Sequence, residues 1–393
     1  MTFPPLRTLT LGLAGAHPLS AQEISQAAAL LQRAQARYTE AGYEVQTVRL
    51  STRPVLADLA AWSTDALLHY ALELQKALDD NGLGFCSLGT AMAADPTFPL
   101  ERINQVIDML IATSALTATV QLATPEHGLR MEAALPTAQA IRRLAWETDE
   151  GFGNFRFAML ACVEAGSPFF PSAYHSGPTS LAIGLQGAGI VAEALRTGVA
   201  HASNLADPTL ISALVKAALL REAEPIVQLG QALAAELGVR FGGIDLSPAP
   251  LGEDSIATAL ELTGYGRVGT PGTLMAAAAI TTALKSTGLP ACGYCGLMLP
   301  VLEDAMLGRR WEEGLVNAHQ LLLYSAVCGT GLDTLPLPGD STAEEIARLL
   351  LDVATLAIRL NKPLSARLFP VPGKQVGERT TFTSQYLTNT MVR

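Results

Sequence analysis

The segment that decides the fold is Leu6-Arg-Thr-Leu-Thr-Leu-Gly-Leu13, together with Tyr43-Glu-Val-Gln-Thr-Val-Arg-Leu50. Both stretches alternate apolar and polar residues, as half-buried β-strands do. Between them, Ser20 and Glu23 have the spacing of a capping box, which predicts a helix that ends before Gly42. The chain therefore opens with a β-α-β unit.

Strand, helix and Gly/Pro-containing loop then recur along the chain. Further strands are predicted within residues 81–88, 112–122, 154–162 and 239–246. Further helices are predicted to begin at Asp207-Pro208, at Thr270-Pro271 and at a second capping box of Ser341 and Glu344. Repeated βα units indicate a parallel sheet with helices outside, either open or closed into a barrel.

The sequence gives little sign of a domain boundary. No linker, low-complexity segment or block of like charge divides the 393 residues. The weakest point is the polar stretch His201-Ala-Ser-Asn204. We therefore expect residues 1–393 to form a single domain.

Composition limits the partners of the protein. The chain is 49% hydrophobic and 16% charged, with a mean hydropathy of +0.28 and a net charge of -10. An acidic surface disfavours nucleic acid and anionic membranes, whereas a locally basic pocket can still bind a small anion. Apolar runs such as Leu274–Leu284 are shorter than the roughly 18 residues that a membrane span needs. The apolar surplus leads us to expect a homodimer.

Two features predict a cytoplasmic protein. The first residues, Met1-Thr-Phe-Pro-Pro-Leu-Arg-Thr8, have neither the basic segment nor the apolar run of a signal peptide. The five cysteines are an odd number in a large chain, which favours reduced thiols over a disulfide framework.

Acidic residues stand near the ends of several predicted strands and helices. Asp245 follows an apolar strand directly and Asp333 lies between Gly and Pro, so both are candidate catalytic residues. Converging carboxylates would require a hard cation such as Mg²⁺ or Ca²⁺. Its candidate ligands are Asp245, Asp254, Glu303 and Asp304. The alternative is that Asp254 and Asp340 cap helices and that Glu303-Asp304 lies on a solvated helix face.

One histidine and two basic residues complete the candidate site. His175, next to Tyr174 in a Pro/Gly-bounded loop, is a candidate general base or metal ligand; the alternative is a histidine that only forms hydrogen bonds. Arg367 and Lys374 flank a Pro-Val-Pro-Gly turn and could hold a carboxylate or phosphate, or form salt bridges to the acidic loops. Together with Tyr174 they predict a site for a small polar or anionic molecule.

Other motifs carry less information. Cys292-Gly-Tyr-Cys295 is a single CxxC pair, whereas a structural zinc site would need a second pair. A redox-active pair of thiols remains an alternative for this motif. The glycines at 184, 187 and 189 lack dinucleotide-binding spacing, and no P-loop occurs, so we expect no nucleotide cofactor.

Several long motifs, spread over nearly the whole chain, closely resemble the DUF711 family, also called UPF0210. The motifs are Asn154-Phe-Arg-Phe-Ala158, Pro168-Phe-Phe-Pro-Ser-Ala-Tyr-His175, Phe241-Gly-Gly-Ile-Asp-Leu-Ser-Pro-Ala-Pro250, Gly272-Thr-Leu-Met-Ala-Ala-Ala-Ala-Ile280, Gly296-Leu-Met-Leu-Pro-Val-Leu-Glu-Asp304 and Ala366-Arg-Leu-Phe-Pro-Val-Pro-Gly-Lys374. The family is classed as of unknown function, so the resemblance implies an architecture and not an activity.

The resemblance implies an α/β barrel of about ten strands, similar to the pyruvate formate-lyase and anaerobic ribonucleotide reductase fold. Such a barrel is assembled from two half-barrels, with a loop reaching into its centre. The radical chemistry of those enzymes does not carry over. They need a glycine in an Arg-Val-x-Gly-aromatic setting near the C-terminus, whereas Gly377 here lies in Gln375-Val-Gly-Glu-Arg379.

Three hypotheses for the function follow. The first is a non-radical enzyme in which His175, Asp245 and Asp333 do acid-base or metal-assisted chemistry and Arg367 and Lys374 hold an anionic group. The second is a small-molecule binding or regulatory protein without turnover. The third is a redox sensor that acts through Cys292 and Cys295.

Overall fold

The computed structural model describes residues 3–199 and 206–393, so the predicted weak point at 201–204 lies outside the described residues. Strands and helices alternate as expected. The strands are β1 (Leu6–Gly12), β2 (Val48–Ser51), β3 (Cys86–Ala91), β4 (Leu116–Thr124), β5 (Gly128–Leu129), β6 (Phe157–Ala161), β7 (Ser180–Leu185), β8 (Arg240–Asp245), β9 (Gly331–Pro338) and β10 (Leu364–Val371). That the chain forms a single domain stays a prediction.

Twelve α-helices connect the strands in the described part of the chain. They are α1 (Ala21–Glu40), α2 (Val55–Asp58), α3 (Thr64–Asp80), α4 (Ile103–Ile111), α5 (Ala134–Glu147), α6 (Ala188–Val199), α7 (Pro208–Leu237), α8 (Ile256–Glu261), α9 (Thr273–Lys285), α10 (Ala305–Glu312), α11 (Ala318–Ser325) and α12 (Ala343–Leu360). None of the described helices is long and apolar enough to cross a membrane.

Helix boundaries follow the capping chemistry of the sequence. The predicted box of Ser20 and Glu23 caps α1, and Asp207 caps α7 with Pro208 in the first turn. The predicted box at Ser341 is wrong by one residue. Thr342 is the N-cap of α12 and pairs with Glu345, because a hydroxyl and a carboxylate with the same spacing stand one position further along.

The ten strands form one mixed sheet in the order β8-β7-β1-β2-β3-β4-β6-β10-β9, with β5 attached to β4. β1, β2, β3, β4 and β6 are mutually parallel. β7 with β8, and β9 with β10, form two further parallel pairs. Each pair joins the first set through an antiparallel contact, β7 to β1 and β10 to β6. The two groups of strands therefore run in opposite directions.

The expected barrel is not confirmed. Within residues 3–199 and 206–393, hydrogen bonds do not close the sheet, and β8 and β9 are its two edges. Residues 290–301, called here the bridging loop, contact both edges. Its Pro290 carbonyl accepts a bond from Ile244 on the β8 side, and its Val301 N–H donates to Asp333 on the β9 side. Prolines and glycines in this loop prevent a regular strand there, because proline cannot donate to a ladder.

The strands are buried on both faces, which explains the apolar composition. β1, β3, β4, β6, β7 and β10 are buried at every position. Such burial is typical of parallel sheets covered by helices. α5 packs beside α12, and α7 packs beside α6 and α9. Charged side chains that point inward from these strands must therefore find partners inside the protein.

Candidate functional site

A cavity lies where both groups of strands meet the bridging loop. β1, β2, β4, β6 and β10 all contribute to its wall, and so do the loop residues Tyr294 and Met298. The centre of a water-sized group can occupy a volume of about 60 Å³ inside the cavity. One water needs roughly 10–15 Å³ on such a measure, so the cavity has room for a molecule of a few heavy atoms.

The cavity wall is strongly charged for a buried surface. It contains four arginines and two carboxylates, which leaves a surplus of positive charge in a protein whose net charge is -10. The charged residues are Arg7, Arg49, Arg156, Arg367, Glu303 and Asp333. Positive charge in a cavity with low-dielectric walls raises the local concentration of anions.

Glu303 lies between two of the arginines. Arg7 Nη2 is 3.2 Å from Glu303 Oε2, and Arg367 Nη2 donates to the other carboxylate oxygen. Arg367 also donates from Nε to Asp333 Oδ1 at 2.7 Å. Burial raises the pKa of Glu303, while Arg367 and Arg7 act in the opposite direction. For Arg367, burial opposes the charge, but Asp333 and Glu303 outweigh it and raise the pKa.

Arg49 is the exception among these arginines. It is only 6% exposed, and its Nε donates to Thr47 Oγ1 at 3.0 Å. Among the described residues, its two terminal nitrogens have no acceptor. The guanidinium carbon lies 5.0 Å from the ring centre of Phe85 and 5.2 Å from that of Phe170. Burial and the nearby Arg7 lower the pKa of Arg49 to about 9, so it stays a cation at neutral pH.

Arg156 shows what a structural arginine looks like in the same wall. Its terminal nitrogens donate to the carbonyl oxygens of Leu116 and Leu110, both at 2.8 Å. These bonds tie the start of β6 to the end of α4 and the start of β4. Both terminal nitrogens of Arg156 therefore donate to backbone carbonyl oxygens, whereas those of Arg49 do not.

Three hydroxyl groups of the cavity wall also lack partners. Tyr294 Oη, Thr117 Oγ1 and Thr330 Oγ1 are buried and have no hydrogen-bond partner in the part of the chain that the structure describes. Burial raises the pKa of Tyr294 to about 12, which keeps the phenol protonated. Buried polar groups are normally paired, so unpaired ones beside a cavity indicate a place where a bound molecule is accommodated.

Asp245, predicted as catalytic, holds the bridging loop. It is fully buried, and Tyr294 N–H donates to Oδ2 at 2.8 Å, while Cys295 N–H donates to Oδ1 at 3.0 Å. Ser247 donates to Oδ1 from both its N–H and its hydroxyl. Burial raises the pKa of Asp245, and these hydrogen bonds oppose that effect. Asp245 does not line the cavity, so the geometry indicates a positioning role.

The structure does not gather the four predicted metal ligands. Asp304 is not on a solvated face, because it is fully buried and caps α10 through Leu307 N–H. It also accepts from the first residues of α8, Ile256 and Ala257. Asp254 instead accepts a hydrogen bond from the side-chain amide of Gln186. In residues 3–199 and 206–393, no three His, Cys, Asp or Glu side chains form a group that could hold a metal ion.

His175 lies away from the cavity, in a surface groove at the other end of β6. That groove, called here the far groove, contains Cys162, His175, Arg240 and Cys292. His175 Nε2 contacts the carbonyl oxygen of Pro178 at 3.1 Å, and burial lowers the pKa of the imidazole. The predicted centre of His175, Asp245 and Arg367 is therefore not one cavity.

Tyr174 and Lys374 also lie apart from Arg367. The Tyr174 hydroxyl donates to the carbonyl oxygen of Val163 at 2.9 Å, and the ring packs beside Phe169. Lys374 follows the far end of β10, where its backbone carbonyl accepts from Gly339 N–H. Arg367 and Asp333 are the predicted site residues that the structure brings together, and Glu303 joins them.

The cysteines are all free thiols in the structure. Burial is the main cause that raises the pKa of both Cys292 and Cys295, and the carboxylate of Asp245 adds to it. A thiolate is the form that reacts with peroxide, so this setting opposes rapid oxidation.

Reasoning from the sequence missed Arg7, Arg49 and Tyr294. Each arginine occupies a polar position of a predicted strand, where alternation suggested a solvent-facing side chain. The available signal was the burial expected for a parallel sheet, since both faces of such strands are covered. A lone arginine in a strand of that kind must point into the protein.

Comparison with known proteins agrees with the motifs. A family model described as "Uncharacterised ACR (DUF711)" matches residues 5–384. A UPF0210 protein from Pyrobaculum aerophilum is 34% identical over 353 residues, covering 86% of this chain and 76% of that protein. One from Thermoanaerobacter sp. (strain X514) is 30% identical over 359 residues, covering 88% and 78%. One from Oenococcus oeni is 28% identical over 403 residues, covering 96% and 88%.

Proposed function

Because the chain belongs to the DUF711 family of uncharacterised proteins, whose name assigns no activity, we propose a function from the cavity itself. We propose that the protein is a non-radical enzyme that binds a small organic anion between the bridging loop and the strands, with Arg49 as the main anion-binding residue. The observation that carries the proposal is the guanidinium of Arg49 between two phenylalanine rings, with terminal nitrogens that have no acceptor among the described residues.

The energetics of burial support this assignment. A buried charge without a partner costs several kcal/mol, and proteins normally pair it or place it where a ligand completes it. The terminal nitrogens of Arg49 form the planar fork that binds a carboxylate through two parallel hydrogen bonds. Phe85 and Phe170 fix the plane of this fork, because a guanidinium stacks on aromatic faces.

In this proposal, Arg367 keeps the binding role that the sequence suggested, whereas Asp333, suggested there as catalytic, holds Arg367 in place. Arg367 is held in place by Asp333 and Glu303, so it contributes positive potential at a fixed position. Glu303 is the carboxyl group best placed for proton transfer to a bound molecule, because it lines the cavity and burial raises its pKa. This proposal needs no contribution from His175 or Lys374.

The test measures anion binding by isothermal titration calorimetry and by the shift in melting temperature. The probes are phosphate, acetate, propionate and lactate, each as the sodium salt against sodium chloride at equal ionic strength. We expect at least one of these anions to bind, and Arg49→Met to weaken it about 30-fold or more, from the roughly 2 kcal/mol of charged hydrogen bonds lost. Arg49→Lys should retain part of the affinity.

Arg33→Met is the matched control, because Arg33 forms an exposed ion pair with Glu236. It should leave anion binding unchanged. If none of the four anions binds, or if Arg49→Met binds as tightly as the wild type, the proposed site is wrong. Homodimer formation and cytoplasmic location stay predictions from composition.

The second hypothesis, a binding protein without turnover, has one observation in its favour. Both carboxylate oxygens of Glu303 accept hydrogen bonds from arginines, which limits proton transfer to a ligand. Once a converted anion is found, Glu303→Gln separates the two hypotheses. Loss of turnover with binding retained supports the enzyme, whereas a bound anion that no assay shows to be converted supports the binding protein.

A further inference from the structure

The phenol of Tyr294 has no assigned role in the binding of an anion to Arg49. It is carried on the bridging loop, directly after Gly293. The residue is 6% exposed, and its Oη has no hydrogen-bond partner among the residues described. The hydroxyls of Ser172 and Ser365 lie near enough to affect its pKa, but neither is in hydrogen-bond geometry with it. Both serines line the cavity, as Tyr294 itself does.

Two other unpaired hydroxyls belong to the same wall, those of Thr117 and Thr330. Within residues 3–199 and 206–393, the cavity therefore combines one guanidinium whose terminal nitrogens lack an acceptor with three hydroxyl groups that lack a hydrogen-bond partner. A simple anion such as acetate or chloride satisfies the cation and leaves the hydroxyls without partners. A ligand with a second oxygen satisfies both kinds of group within the few heavy atoms that the free space admits.

We infer that the ligand is a small carboxylate that carries a second hydrogen-bond-accepting oxygen, and that Tyr294 Oη donates to that oxygen while Arg49 binds the carboxylate. This inference rests on the proposed anion site and names the class of molecule that the site takes. Tyr294 is then the residue that distinguishes a substituted acid from the plain acid of the same size.

The position of Tyr294 is fixed from outside the cavity. Asp245 accepts a hydrogen bond from the Tyr294 backbone N–H at 2.8 Å and from the next residue, Cys295, at 3.0 Å. The tyrosine side chain also belongs to an apolar cluster with Phe169 and Met298, which line the cavity themselves. Such support, with backbone bonds on one side and side-chain packing on the other, is what a residue needs to present one atom in a fixed place.

Propionate and lactate form the matched pair of probes, because lactate is propionate with one added hydroxyl. For the wild type, we expect calorimetry to give a dissociation constant for lactate about two- to tenfold lower than for propionate, the effect of one added hydrogen bond. Tyr294→Phe should remove this difference and leave propionate affinity unchanged. Arg49→Met should weaken both acids.

Tyr174→Phe is the control, since its hydroxyl bonds to a backbone carbonyl outside the cavity. It should keep the lactate preference. A second readout separates ligand recognition from structural support. An unpaired buried hydroxyl contributes no stabilising bond, so Tyr294→Phe without ligand should melt at the same temperature as the wild type or higher.

The outcomes distinguish the two proposals. If Arg49→Met leaves both affinities unchanged, the proposed function fails. If Arg49→Met weakens both acids but wild type binds lactate and propionate equally, the anion site stands and the inference about the second oxygen is wrong. A lactate preference that survives in Tyr294→Phe overturns the role of Tyr294. A lower melting temperature for empty Tyr294→Phe would assign the hydroxyl to structural support instead.

Discussion

Asp245, the last residue of β8, and Glu303, on the segment that follows, are both buried carboxylates, yet their surroundings differ in kind. Three of the four donors to Asp245 are backbone N–H groups, and the fourth is the Ser247 hydroxyl. Every donor to Glu303 is a guanidinium at the wall of the cavity. The carboxylate of Asp245 binds donors that fix the bridging loop. The carboxylate of Glu303 belongs to the charged wall of the cavity, where a ligand would bind.

The difference shows why a conspicuous acidic residue is not necessarily a functional one. Backbone donors have fixed positions and cannot turn toward a ligand, so a carboxylate that binds several of them is committed to structure. Side-chain donors can exchange one anion for another. The proposed function therefore relies on Arg49, Arg367 and Glu303, and gives Asp245 a positioning role through the bridging loop.

The largest expected effect is on stability, from Asp245→Ala. The substitution leaves three buried N–H groups and one hydroxyl without an acceptor, and each costs about 1–3 kcal/mol. Allowing for water entry, we expect a loss of about 4 kcal/mol in the free energy of unfolding, measured by urea denaturation. Asp340→Ala, at an exposed position, should change it by less than about 0.5 kcal/mol. If the Asp245→Ala protein were as stable as the wild type, Asp245 would not have the structural role that distinguishes it here from Glu303.

Glu303→Gln should have a smaller effect on stability and a gain in binding. Removing the carboxylate leaves Arg7 and Arg367 incompletely paired, which costs about 3 kcal/mol in a buried setting. The same change adds positive charge to the cavity, so the affinity for propionate should rise by about tenfold. Urea denaturation and calorimetry measure the two effects. A stable variant with unchanged affinity would show that Glu303 is not part of the binding surface.

Much of the fold was accessible from the sequence. Local signals, such as the Ser20 cap and the alternation in β1, depend on neighbouring residues alone and predicted these elements well. The second strand was predicted over residues 43–50 but runs over the four residues Val48–Ser51, because the first half of the predicted segment contacts the sheet through a single bridge at Val45. The opposed directions of the two strand groups depend on contacts between distant segments, which periodicity does not report.

The candidate site was predicted less well, for a related reason. Arg367 and Asp333 were identified because both stand in Gly/Pro-containing segments, and they do form an ion pair. Arg49 was missed because one strand's alternation cannot tell the inside of a two-sided sheet from its outside. The contacts of Asp245 with the bridging loop were not foreseen, because two of its donors, at 294 and 295, are distant in sequence.

The effect of pH on stability, measured at the buried His17, tests the claim that fully bonded buried side chains support the structure. Its ring nitrogens contact Tyr70 Oη at 2.7 Å and Thr52 Oγ1 at 2.9 Å. Burial lowers the pKa of His17 to about 4 from an ordinary 6.5. Because the folded pKa is depressed, its contribution to stability is present above pH 6.5 and is lost as the pH falls toward 4. The expected loss is about 3 kcal/mol.

The measurement is urea denaturation of the wild type and of His17→Gln between pH 7.5 and 4. The difference between the two proteins isolates His17, because buried carboxylates whose pKa is raised act with the opposite sign in the same acid range. The difference in the free energy of unfolding between wild type and His17→Gln should become smaller as the pH falls. His69→Gln, on the exposed face of α3, should run parallel to the wild type. A His17→Gln curve that is also parallel would show that the imidazole does not titrate as its burial implies.

The smallest effect concerns two glycines with similar backbone conformations. Gly288 has a φ of 76°, and an added Cβ would meet nothing within 4 Å. Gly293 has a φ of 66°, but its added Cβ would lie 2.1 Å from Asp245 Oδ2. Gly288→Ala should therefore cost only the left-handed strain of about 1 kcal/mol, whereas Gly293→Ala should cost about 1–2 kcal/mol more.

Binding data from the same two variants connect the bridging loop to the cavity. Because Gly293 precedes Tyr294, displacing Asp245 should also move the phenol, and the lactate preference should fall in Gly293→Ala while it persists in Gly288→Ala. If Gly293→Ala loses stability but keeps the full preference, Tyr294 is positioned by the packing of its ring against Phe169 and Met298. Asp245 would then stabilise the fold without acting on the site, and the two buried carboxylates would be independent of each other.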